Sequence, residues 1–411
     1  MKKLAFVSIG LVLLLAMATL FAACGGEEAT TTTVAPTTTI AAATGEPIKI
    51  GHIRPISGVM ATTSERMLNA FAFAFEQVGD QVAGHPIEII VGDSKGDPAT
   101  AVEVARKMVE QDHVAMLVGP TQGGEQMAVA AYASQVGIPV LFTNPAPMPS
   151  TGPDMAFSIA GYGTEPQISS AMGVYAYQEA GYKNVDVLSG DFAPGHGFSS
   201  AFEAAFKAQG GTIVQEIFTP YPSQDFSPYL TTLKDADAVV AWIDGEQAIR
   251  LLTQYHELGV DERMPLVGEF HGSFLAPFIL SALAPEVADA YIGALVPVPY
   301  SPLLDTPVNQ QFVADFQAKF GGLPEDMDSG PYVGAQIIMH ALEATDGDTT
   351  PATLRDALVA VSFDGPEGPI KFDTATRAAI KTVYIAKVAK QGDVFVWDPI
   401  FTYEDVPPAG L

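Results

Sequence analysis

Residues 115–147, AMLVGPTQGGEQMAVAAYASQVGIPVLFTNPAP, read as two short apolar strands joined by one helix. Both strands stop abruptly in loops of Gly, Pro, Thr, Gln and Asn. Strand, helix, strand in this order constrains the fold strongly, because parallel neighbours need a crossover and a helix is the usual one. Open parallel sheets bind ligands beyond the carboxyl ends of their strands. Thr121, Gln122, Gly123, Thr143, Asn144 and Ala146 can therefore face one crevice.

The same alternation extends in both directions. Upstream lie a strand at 48–53, a helix at 65–79 that Ser64 is expected to cap, a strand at 85–92, and a helix at 101–112 with Pro98 near its start. The pattern restarts after 157–166 (FSIAGYGTEP). A helix at 168–180 leads to strands at 184–190, 212–219, 236–243 and 264–269, with helices at 201–210 and 246–259. An apolar, Pro-rich run follows at 292–302, then helices at 310–321 and 330–345. Two segments, 363–373 and 382–397, close the chain, the second as a hairpin around Gln391-Gly392. The expected fold is α/β, two doubly wound lobes joined by a three-segment hinge near 160, 297 and 368. Lobe 1 would hold 47–160 and 298–367, and lobe 2 would hold 161–297 and 368–411. Lobes joined by short extended segments leave a cleft that opens and closes.

At 411 residues the length suits two or three domains, and the formal charge of -27 disfavours nucleic acid as a partner. The start of the chain is a basic tripeptide, an apolar run at 4–21, then Ala22-Ala23 before Cys24, the single cysteine. This resembles a bacterial lipoprotein leader, 1–23, with Cys24 as the lipid-modified first residue of the mature protein. Residues 24–46 are rich in Thr, Ala and Pro and read as a disordered tether. The protein is then expected outside the cytoplasm, held at a bacterial membrane by its lipid anchor. With no second cysteine, no disulfide forms within the chain.

Catalytic signatures are missing. There is no G-x-S-x-G, no P-loop lysine and no G-x-G-x-x-G after the first strand. His196 and His271 lack the spaced co-ligands a metal would need. A binding protein is expected rather than an enzyme, with no cofactor and no metal.

Five segments carry a family resemblance: IKIGHIRPISG (48–58), GDSKGDPATAVEVARKMVEQDHVAMLVGP (92–120), GIPVLFTNPAP (137–147), QDFSPYLTTLKDADAVVAWIDG (224–245) and DSGPYVGAQIIMHALE (328–343). The chain resembles a periplasmic-binding-protein-like type I solute receptor of the branched-chain amino acid (Leu/Ile/Val) group. The resemblance implies the substrate-binding component of an ABC importer, a monomer that closes over a small molecule and presents it to a membrane permease. The same fold can also serve as a ligand sensor for a signalling partner. By this resemblance, ligand contacts in lobe 1 fall at Ser57, Gln122, Gly123, Thr143 and Ala146. In lobe 2 they fall at Tyr162, His196, Asp244 and Glu269, with Tyr332 returning from the lobe 1 helices. Arg54, at the end of the first strand, suits a ligand carboxylate. Relatives of this group place hydroxyl donors where this chain has Gln122-Gly123 and Pro147. The ligand class therefore stays open among amino acids, amides and aromatic or aliphatic carboxylates, with the N–H of Gly123 or Ala146 as a substitute carboxylate donor.

Overall fold

The computed structural model describes residues 43–243, 245–268 and 275–411. The leader, Cys24 and all but the last residues of the tether lie outside this range, as do Asp244, Glu269 and His271. The chain opens with β1 (Ile48–Arg54), α1 (Ala61–Glu76), β2 (Gln81–Val82), β3 (His85–Asp93) and α2 (Pro98–Lys107). It continues through β4 (Met116–Val118), α3 (Gly123–Val136), β5 (Val140–Phe142) and β6 (Ser158–Ala160). The second run is α4 (Glu165–Gln178), β7 (Asn184–Gly190), α5 (Ala193–Ala208), β8 (Thr212–Thr219), α6 (Ser227–Leu230), β9 (Ala238–Trp242), α7 (Glu246–Glu257) and β10 (Leu266–Gly268). Then come α8 (Pro277–Leu280), α9 (Pro285–Asp289), β11 (Leu295–Val298), α10 (Pro307–Phe320), α11 (Asp326–Ala344) and α12 (Pro351–Ala360). Strands β12 (Phe363–Gly365), β13 (Gly368–Asp373), β14 (Ala378–Gln391) and β15 (Val394–Val406) end the fold.

Two sheets result. The larger runs β12-β13-β14-β6-β5-β4-β1-β3-β2, and both β11 and β15 pair with β14. Its centre, β6 through β3, is parallel. The smaller sheet, β10-β9-β7-β8, is parallel throughout. Short strands such as β4 and β5 are buried at every position, as a sheet covered on both faces requires. On one face of β1, Ile50 joins Phe71 and Phe75 of α1 and Ile337 of α11. On the other, Ile53 joins Ala105 of α2 and Ala130 of α3. The small sheet is covered likewise, with Phe202 and Phe206 of α5 on one face and Leu251 and Tyr255 of α7 on the other.

Local signals act largely as the sequence suggests. Asp97 caps α2 through a 2.7 Å bond from the Thr100 N–H, with Pro98 as the first helical residue. The hairpin closes between β14 and β15 at Gly392. Ser64 does not cap α1. A 3-10 turn at Gly58–Met60 runs directly into the helix, so Ser64 lies inside it and its side chain is buried. The long strand β14 carries two jobs. Its start pairs with β13 and touches β6 at Ala160, while its remainder pairs with β11 and β15.

Candidate functional site

The carboxyl ends of β1, β4 and β5 converge on Arg54. Gly119 makes this close approach possible after β4. Its φ is +79°, and a Cβ there would lie 2.3 Å from the Ile53 carbonyl oxygen. Arg54 is completely buried. Its Nη1 donates to Thr121 Oγ1 at 2.9 Å and to Asn144 Oδ1 at 3.2 Å, and its Nη2 donates to Thr143 Oγ1 at 2.6 Å. Nη1 also lies 2.8 Å from Met67 Sδ on α1. Burial pushes the guanidinium down to about 9, and the nearby Glu125 carboxylate offsets part of that. His52, two residues back on the same strand, packs edge-on against Phe71. Burial, followed by the Arg54 charge, holds its ring well below the ordinary range and therefore neutral at pH 7.

Arg54 thus does not stand on the crevice wall as a carboxylate clamp. It acts through its three neighbours. A guanidinium is only a donor, so each oxygen facing it must accept. The hydroxyl hydrogens of Thr121 and Thr143 are directed elsewhere, and the Asn144 amide turns its NH2 away from Arg54. Thr121, the partly exposed member, is thus able to donate its hydroxyl hydrogen on the outer side of this cluster, beside the first turn of α3.

The other expected residues separate. Gln122 is exposed at the start of α3, where its N–H meets Glu125 Oε2 at 3.4 Å. Gly123 packs against Pro147, whose Cγ would lie 3.0 Å from an added Cβ. Ser57 is exposed on the rim, bonded to Asp93. Ala146 is buried and its N–H is engaged by the Gly163 carbonyl at 3.0 Å, so it has no N–H to offer a ligand. Tyr162 is buried beneath α11, its hydroxyl 3.3 Å from the Asp326 carbonyl and its ring 4.6 Å from Lys381 Nζ. His196 turns towards β8, bonded to Asp191 at 2.9 Å and stacked on Phe218.

Tyr332 does not join the cluster. Its ring packs against Phe312 and its hydroxyl bonds Gln77 at 2.7 Å. The face of α11 towards β5 is instead made by Gly330 and Gly334. Added Cβ atoms there would lie 2.7 Å from the Thr143 carbonyl oxygen and 2.4 Å from its methyl. Glycine lets the helix approach the end of β5, and Tyr332, about 200° further round the helix, faces away.

Two features escaped the reading of the sequence. Lys381 and Glu367 form a buried ion pair beside Tyr162. Glu165, first residue of α4, places its carboxylate between Gly123 and Gly197. An acid in a first helical turn is ordinarily a response to the helix dipole, so nothing local distinguishes Glu165. Among the described residues, no three His, Cys, Asp or Glu side chains gather as a metal site would require, and no helix is long and apolar enough to cross a membrane.

A large mixed sheet and a small parallel sheet, both covered by helices, match the architecture of a periplasmic binding protein, and the chain belongs to that family, which matches residues 47–393. A Leu/Ile/Val-binding protein homolog 6 of Brucella melitensis is 27% identical over 381 residues, spanning 90% of this chain and 95% of the relative. An ABC transporter substrate-binding protein from Sphaerobacter thermophilus superposes with a TM-score of 0.82 at 32% identity, covering 88% of this chain and 99% of that one. A solute binding protein of an ABC transporter from Rhodopseudomonas palustris BisB5, solved in complex with 3,4-dihydroxy benzoic acid, gives a TM-score of 0.81 at 28% identity over 88% and 98%. The protein is a solute-binding protein of the ABC-transporter class, a family that works outside the cytoplasm.

Proposed function

We propose that this protein captures a small carboxylate-bearing solute, an amino acid or an aromatic or aliphatic acid, between two lobes and delivers it to an ABC permease. The observation that carries this reading is the polarity Arg54 imposes. Thr121, Thr143 and Asn144 all accept from it, which leaves their hydroxyl and amide hydrogens for an acceptor such as a carboxylate. The first turn of α3, with Gln122 and Gly123, adds positive helix-dipole potential to the same edge. Lobe 1 comprises 47–160 and 298–367 and lobe 2 comprises 161–297 and 368–411, with hinge segments near 160, 297 and 368. Ser57 on lobe 1 and His196 on lobe 2 line the cleft rims. A ligand touching both lobes stabilises only the closed form, and the permease reads that form. Cys24 carries the lipid that keeps the monomeric receptor at the membrane. Support for an acid comes from the relatives, one crystallised with 3,4-dihydroxy benzoic acid and others named for Leu, Ile and Val binding.

A thermal-shift screen with leucine, benzoate, 3,4-dihydroxybenzoate and benzamide tests the reading, followed by calorimetry on any hit. A ligand at about 100 times its Kd stabilises the fold by roughly 2.7 kcal/mol. The acids are expected to raise the melting temperature and benzamide to have less effect. Stabilisation by benzamide alone, or by none of the four, would overturn it.

A further inference from the structure

Glu165 stands where elements of the two sheets meet. Its backbone N–H donates to the Ala146 carbonyl at 3.2 Å, which fixes the start of α4 against the loop after β5. Its carboxylate then reaches between two helices. A Cβ built on Gly123, in the first turn of α3, would lie 3.5 Å from Oε1. One built on Gly197, in α5, would lie 3.3 Å from Oε2. Helix α3 follows β4 of the large sheet, and α5 follows β7 of the small one. The carboxylate therefore reaches both halves of the proposed cleft, and the two positions it approaches are glycines.

A carboxylate in such a place ordinarily has a partner, because burying its charge without one is costly. Among the described residues, none bonds to Glu165 through either oxygen. Burial alone raises its carboxyl, with no cation drawing it back. The nearby cations are engaged elsewhere, Lys381 by Glu367 and Arg54 by the hydroxyl and amide oxygens. The acceptor at Glu165 and the donors at Thr121 and Asn144 flank the first turn of α3 from two sides.

Resting on the function proposed above, we propose that Glu165 determines specificity by accepting a hydrogen bond from a donor group on the solute, so that the cleft selects acids that also carry an ammonium or a hydroxyl. The carboxylate end meets the donors at the strand ends, and the donor end meets Glu165. The contact with Gly197 makes this second bond depend on the small-sheet half, so the donor group favours closure as well as affinity.

Two ligand pairs that differ chiefly in the donor test this by calorimetry: leucine against 4-methylpentanoate, and 4-hydroxybenzoate against 4-fluorobenzoate. The protein is expected to bind the donor-bearing member of at least one pair about tenfold tighter, as a hydrogen bond to a charged group implies. Which pair responds tells ammonium from hydroxyl. Glu165→Gln should shrink that preference to about threefold or less while leaving the donor-free member unchanged. Glu165→Asp, which keeps the charge, should retain the preference in weakened form and serves if the glutamine variant folds poorly. Equal binding within both pairs, or an undiminished preference in Glu165→Gln, would overturn the role of Glu165 and leave the carboxylate reading standing. Failure of all four compounds to bind would overturn both.

Discussion

Replacing Arg54 with methionine separates the charge from the volume at the edge of the crevice. Burial takes the guanidinium from 12.5 to about 9, so keeping it ionised inside the protein costs on the order of 5 kcal/mol at neutral pH. Against this stand its bonds to Thr121, Thr143 and Asn144, each contributing about 1.5–3 kcal/mol for a charged donor. Together the bonds contribute about 4.5–9 kcal/mol, so the balance lies between near zero and about 4 kcal/mol in favour of arginine. Methionine fills most of the same space beside Met67, and the freed hydroxyls can rotate to other acceptors. Folding stability should then fall by no more than about 4 kcal/mol, since apolar replacement of a buried charge is often close to neutral. Binding should respond more sharply. Without Arg54 the Asn144 amide and the two hydroxyls are no longer obliged to point their hydrogens outward, and affinity for a carboxylate should fall by about tenfold or more. Urea titration measures the first quantity and calorimetry the second. Arg54→Lys, which keeps the charge but lacks the planar fork, should lie between. A methionine variant that folds normally and binds the same acid with unchanged Kd would refute the idea that Arg54 sets the polarity of the edge.

Three further outcomes follow from the geometry. Burial raises the Glu165 carboxyl from 4.5 to about 7, so the folded protein holds that proton more tightly than the unfolded chain. Its stabilising contribution is complete below pH 4.5 and is lost as pH rises through 7. Between pH 4.5 and 8 the wild type should lose on the order of 3 kcal/mol more than Glu165→Gln, and parallel urea profiles for the two proteins would contradict this. Lys381→Met strands the buried Glu367 carboxylate and should cost about 3–5 kcal/mol, whereas Lys381→Met with Glu367→Leu should recover most of it. Equal melting temperatures for the single and double variants would sink that account. Tyr332→Phe removes only the bond to Gln77, so it should lower stability by about 0.5–1.5 kcal/mol and leave ligand affinity unaltered by calorimetry.

The alternation of strands and helices was readable in the chain because its periods are local. Three buried residues in β4 or β5, a capping aspartate before Pro98 and the glycine turn at the hairpin each declare themselves within a few positions. The crevice edge was legible for the same reason. Thr121, Thr143 and Asn144 follow strands that must lie side by side in a parallel sheet, and any residue just past such a strand shares that edge. What those residues do there was not readable. Arg54 at the end of a strand looks the same in sequence whether it faces a ligand or its own neighbours. Only the convergence of β1, β4 and β5, with Met67 of α1 closing over it, makes it a buried organiser rather than a clamp. Helical phase turns Tyr332 towards Gln77, and Gly330 and Gly334 face the end of β5 in its place. The path of β14 across two groups of strands, the Lys381–Glu367 pair and the position of Glu165 between Gly123 and Gly197 all join residues far apart in the chain. Local pattern settles which segments become strands and helices, since backbone hydrogen bonding and side-chain period act over a few residues. Tertiary structure decides which polar groups lose water and which partners they meet, and in this protein that decides the chemistry of the crevice.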